Sequence, residues 1–60
     1  MLLENILDYC TREGIPIYML EKKCGIGNGT IKRWKYSTPR LNSLQKIAKE
    51  TGMTIEQLLK

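Results

Sequence analysis

Apolar residues recur at helical spacing through most of this chain. Leu2 or Leu3, with Ile6, Leu7 and Cys10, forms an i, i+3, i+4, i+7 stripe. That stripe predicts a first helix over about residues 2 to 12 with these side chains turned inward. Gly14 ends it. Ile17, Leu20 and Cys24 repeat the period and predict a second helix over about 16 to 24. Pro16 suits its first turn, where an N–H would have no intrahelical partner anyway. Gly25 stops this helix: a glycine takes the left-handed conformation without steric cost, so the chain can reverse across residues 25 to 27. Ile31 and Trp34 then restart the stripe in a third helix over about 28 to 36, with Asn28 as its cap. Asn28, Gly29, Lys32 and Arg33 fall on its other faces.

Ser37, Thr38 and Pro39 force a loop, because the residue before a proline is pushed away from helical geometry. Beyond Leu41, Asn42 and Gln45 have the spacing of a capping pair for a fourth helix. Leu44, Ile47, Ala48 and Thr51 make its inner face, Lys46 and Lys49 point outward, and Gly52 closes it. Thr54 and Gln57 repeat the capping spacing before a last short helix that carries Ile55, Leu58 and Leu59. No stretch alternates apolar and polar residues long enough to make a strand. The expectation is an all-α fold of five short helices in a single domain over residues 1–60, without repeats, linkers or low-complexity segments. A chain of 60 residues is near the lower size at which a hydrophobic core suffices without staples.

Charge changes the picture more than composition does. Met1 to Glu21 holds four acids and one base, Lys22 to Lys49 eight bases and no acid, and Glu50 to Lys60 two acids and one base; the net is +4. One cationic segment between acidic flanks is the footprint expected of a phosphate-binding surface. Cys10 and Cys24 both occupy apolar-face positions, and the acidic start of the chain is unlike a secretory signal. Free thiols in a reducing cytosol, hence a cytoplasmic location, are therefore expected. With no histidine and two cysteines, the usual four-ligand zinc site cannot be assembled in one chain. No apolar run approaches the roughly 20 residues that span a bilayer.

At the level of spacing, the chain resembles the phage repressor and Cro type of helix-turn-helix domain, the XRE family. The likeness runs from about Leu3 to Leu59. It is carried by Leu20, Gly25, Ile26, Ile31 and Trp34, and then by Pro39, Leu41, Leu44, Ile47, Ala48, Gly52 and Leu58. The resemblance implies a compact, lambda-repressor-like five-helix bundle. It implies double-stranded DNA as partner and a transcriptional regulator of phage or bacterial type, with repression as the expected role and no cofactor. The chain departs from the family pattern at four places. Pro16 and Ile17 stand where Ser or Thr and Gln are usual, Glu21 where Ala is usual, and Gly27 where Ser opens the recognition helix. Lys35, Tyr36 and Ser37 replace a polar or acidic residue and Gly. The first departure removes a glutamine that often touches a phosphate in the family.

In domains of this kind the second helix of the motif lies in the major groove with its N-terminal residues at the base edges. Carried over by position, the resemblance puts Asn28, Gly29, Lys32 and Arg33 at the bases. Arg33 has the fork for guanine O6 and N7, and Asn28 the amide for adenine N6 and N7. Lys32 can reach a base or a phosphate, and Gly29 permits close backbone approach. Phosphate contacts are expected from Lys22, Lys35, Tyr36 and Arg40, and from the backbone N–H groups that open the second helix at Ile17.

Two other patterns are set aside. Trp34 among Arg33, Lys35 and Tyr36 imitates a base-stacking platform, but its spacing from Ile31 points it inward. The glycine-rich run Gly25 to Thr30 lacks the preceding strand and the following Gly-Lys-Ser/Thr of a phosphate loop. No activated nucleophile or carboxylate pair suggests an enzyme. The alternative function is a protein-interaction module on the same scaffold, an antitoxin or antirepressor component whose basic face meets an acidic partner. One short helix reads few base pairs, so a weak homodimer on DNA is expected, formed through Ile55, Leu58 and Leu59.

Overall fold

Each apolar stripe becomes one wall of a single core. In the computed structural model, which describes residues 1–60, the stripes lie on α1 (Leu2–Glu13), α2 (Ile17–Cys24), α3 (Thr30–Arg33), α4 (Leu41–Thr51) and α5 (Ile55–Leu59), with no strand. Every helix sends at least one side chain to the centre: Ile6 and Cys10 from α1, Leu20 from α2, Ile31 from α3, Ile47 from α4 and Leu58 from α5. α2 is the hub, packing on α1, α3 and α4, while α5 closes the bundle against α1 and α4. No helix is long and apolar enough to cross a membrane.

Local chemistry sets the ends of these helices. α1 and α2 finish in the same way: Ile15 N–H donates to the Cys10 carbonyl and Gly14 N–H to that of Thr11, and Ile26 and Gly25 repeat the pattern on Glu21 and Lys22. These crossed bonds satisfy carbonyls that a helix end leaves open, and they bring Ile15 and Ile26 back against the core. At α5 the expected capping box is present. Gln57 N–H donates to Thr54 Oγ1 at 3.0 Å, and Thr54 N–H to Gln57 Oε1 at 2.9 Å. The far end of α5 is held by Asn5, whose side-chain amide donates to the carbonyls of Leu58 at 2.7 Å and Gln57 at 3.2 Å.

Three expectations need correction. Asn42 does not cap α4: Arg40, extended at φ −74 and ψ 153, is the N-cap, and no side chain bonds there. The helix starts immediately after the Pro39–Arg40 pair, which places Asn42 inside its first turn. Leu7 is 40% exposed, because Ile6 and Cys10 already fill the core beneath α1 and Leu7 lies about 100° round the helix from Ile6. Trp34, by contrast, packs against the core as its spacing from Ile31 predicts, half-buried at its edge. Leu58 is fully buried and so finishes the core, which leaves Ile55, half-buried, and Leu59, 53% exposed, as the apolar surface of α5.

Cys10 and Cys24 are free thiols. Burial raises the Cys10 thiol pKa. It also pushes Cys24 up to about 11, with Glu50 and Cys10 adding to the rise and Lys46 opposing it. The Cys24 thiol donates to the Lys46 carbonyl at 3.8 Å, joining α2 to α4. An unfolded chain loses these protons first, so the stability that the protonated thiols confer is complete below pH 9 and is lost as pH rises toward about 11. At pH 8 the thiolate fraction of Cys24 should be about a hundredfold below that of an ordinary thiol. A disulfide reagent should therefore label the folded protein at least that much more slowly than the protein in denaturant; equal rates would mean that Cys24 is open to solvent.

Candidate nucleic-acid interface

The geometry of the helix-turn-helix rests on Glu21, on the last full turn of α2. Its backbone carbonyl accepts the Ile26 N–H at 3.0 Å and so helps to close α2 at Gly25, where φ is 71. Its carboxylate reaches across the turn. Oε1 accepts the Gly29 N–H at 3.1 Å and Oε2 the Ile31 N–H at 2.9 Å. One residue thus holds the exit of one helix and the start of the next.

The chemistry explains why an acid can stand in this core. Glu21 is 2% exposed, and a carboxylate so far from water is costly unless each oxygen finds a donor. Charge-assisted bonds to two backbone amides supply those donors, and they satisfy amides that the start of α3 would otherwise leave open. Four residues are far too few to hold a helix alone. The carboxylate at its first turn and the fully buried Ile31 fix α3 in place.

The third helix therefore differs from its expected extent of 28 to 36. Asn28 is exposed, lies in the turn and makes no cap; Gly29, at φ 85, is the N-cap and has no side chain with which to cap. A positive φ breaks the helix between Asn28 and Thr30, and that backbone conformation alone calls for Gly29, because a Cβ there would meet nothing within 4 Å. After Arg33 the chain tightens: the amides of Trp34, Lys35 and Tyr36 donate to carbonyls three residues back. Ser37 ends the run with its N–H at 3.0 Å and its hydroxyl at 3.1 Å from the Arg33 carbonyl.

Six of the nine residues expected at the DNA fall into two groups on either side of α3. Ile17, Asn28, Gly29 and Lys32 meet in a cleft of about 450 Å³ between the starts of α2 and α3, with Pro16 and Tyr18 on its rim. Pro16, extended at ψ 159, is the N-cap of α2, and the amides of Ile17 and Tyr18 have no partner within the chain. Arg33, one residue beyond Lys32 and about 100° round the helix, lines a different hollow of about 560 Å³ with Thr30, Arg40, Ser43 and Lys46. Lys22 is exposed on α2 and lines neither. The Lys35 ammonium lies 5.6 Å from the centre of the Tyr36 ring, a cation–π distance, with Tyr36 85% exposed.

Sequence reasoning missed Glu21 as the organising residue, and it missed Tyr18, Ser43 and Lys46 on the two rims. A signal for Glu21 existed: Gly29 cannot cap, so the open amides of α3 needed an acceptor, and Glu21 is the last acid before the cationic segment. Glu21→Ala should lower stability by about 2 to 4 kcal/mol, because it leaves one buried and one part-buried amide without acceptors, and Glu21→Gln, which keeps one acceptor, by less. Denaturant unfolding gives the totals, and hydrogen exchange at Gly29 and Ile31 gives the cause. Unchanged exchange at both amides in the alanine variant would remove Glu21 as the cap.

The chain matches the family model of the Cro/C1-type HTH DNA-binding domain over residues 5–60. No curated protein and no solved structure matches it. That match covers nearly the whole chain and includes the two helices bridged by Glu21, the helix-turn-helix itself: the chain belongs to the Cro/C1-type HTH DNA-binding domain family.

Proposed function

We propose that this domain reads a duplex operator through α3 and serves as a transcriptional repressor of phage or bacterial type, folding as one unit over residues 1–60. The observation that carries this reading is the exposed Lys32 and Arg33 on a short helix that Glu21 fixes from beneath, in a domain of the Cro/C1 type. Asn28, Gly29 and Lys32 are the base-facing group beside the start of α2, and Arg33 reaches the bases from the other edge of α3. Ile17, through its open amide, and Lys22, Lys35, Tyr36 and Arg40 hold phosphates on either side. Phosphate contacts set register and carry the salt-dependent part of the affinity, whereas the base contacts discriminate.

Arg33→Ala should weaken binding to a selected site by about 1 to 3 kcal/mol and relax one base position, while Lys35→Ala weakens all sequences alike. Site selection from random duplexes, followed by titration of both variants, checks this; an Arg33→Ala protein with unchanged sequence preference would remove that arginine from the bases. Each phosphate contact contributes about 0.9 to the slope of log affinity against log salt. An affinity flat between about 50 and 200 mM salt would defeat the electrostatic reading of Lys22 to Lys49.

A homodimer completes the proposal. The domain measures 24 × 22 × 19 Å, less than the roughly 34 Å of one duplex turn, so one copy covers one half-site. Ile55 and Leu59 on α5 supply the contact, a small one, and pairing then depends on DNA to raise the effective concentration. Footprinting should show two symmetric half-sites about 10 to 11 base pairs apart. Protection of a single half-site at saturation would refute the dimer.

A further inference from the structure

Positive charge is distributed unevenly around α3. The cleft on its Lys32 side holds that one cation, with Glu21 in its wall. The hollow on its Arg33 side holds Arg33, Arg40 and Lys46 and no carboxylate. Lys46 also lines a second hollow, of about 280 Å³, between α2 and α4, together with Lys23, Lys49 and a single acid, Glu50. The two hollows therefore join through Lys46 into one band that runs from α3, across α4, to the last turn of α2. All five cations of the band are exposed. The two helices that carry Lys23, Lys46 and Lys49, α2 and α4, pack on each other, and the Cys24 thiol donates a weak bond to the Lys46 carbonyl between them.

A recognition helix in a major groove needs phosphate contacts only from residues that border the groove. Lys23, in the last turn of α2, and Lys49, one turn along α4 from Lys46, line the hollow that Arg33 does not reach. Chance would scatter five cations among acids in a chain that carries six acids in all, yet one acid meets the band. Duplex DNA carries one negative charge per roughly 1.7 Å of axis, so duplex that continues past the read site offers this band a matching row of charge.

We propose that the band beyond Arg33, through Lys46 to Lys23 and Lys49, engages phosphates of the duplex flanking the operator half-site, drawing the flank toward α4. It rests on the reading of α3 as the recognition helix. The flank adds affinity without adding sequence preference, because its contacts are to phosphates alone. It also makes affinity depend on duplex length.

The test is a titration against salt on two duplexes that share one selected site, one trimmed to the footprint core and one extended by a helical turn at each end. The probes are wild type and Lys23→Gln/Lys49→Gln, which keeps side-chain length on exposed positions. Wild type should bind the longer duplex more tightly and with the steeper slope. The double variant should lose about 0.9 of slope per contact removed, about 1.8 for the pair, on the long duplex alone. Equal wild-type slopes on both duplexes, or an equal loss by the variant on both, would overturn the proposal. Arg33→Ala on the short duplex tests the recognition helix separately: failure of that reading appears as unchanged sequence preference, and failure of the flanking band as missing length dependence.

Discussion

A carboxylate held between two backbone amides sustains the functional half of this molecule. Without the bonds from Gly29 and Ile31 to Glu21, α3 is a four-residue segment with a glycine at its start and no cap. With them, it shares the rigidity of α2, which is itself seated on α1 and α4. The hydrophobic anchor is equally spare: Ile31 is the one buried residue in α3. One apolar side chain and one carboxylate, acting from beneath, position a helix whose outer surface is left to cations.

Hydrophobic periodicity made most of the fold legible. All five helices, the terminating glycines and the Thr54–Gln57 box could be read from spacing alone, because burial and capping impose fixed intervals along a helix. Periodicity says less about edges. Leu7 and Leu41 satisfy the pattern and still lie 40% and 61% exposed, since a small core is full before every apolar residue on a stripe has entered it. Asn28 and Asn42 have capping chemistry in capping positions, yet neither caps. At α3 a residue distant in sequence had taken the role, and at α4 the helix had begun two residues sooner. Tertiary partners of this kind leave no trace in a local window.

The candidate interface could be listed as a set of residues from the sequence, but not as an arrangement. Charge segregation between Lys22 and Lys49 marked the cationic side of the chain. It could not tell that Lys32 and Arg33, adjacent in sequence, belong to different hollows, nor that Lys46 on α4 joins the Arg33 side. Those facts follow from the angle between helices, which the Gly25 turn and the Glu21 bonds determine together.

The separation of Lys32 from Arg33 bears on how chains of this architecture diverge. Neighbouring positions that face different hollows share few partners, and substitutions without shared partners combine nearly additively. Either edge of α3 can then change by single steps without disturbing the other. The evolvable alphabet lies on the surface of α3, while the grammar that holds it in place, Glu21 and Ile31, is buried beneath.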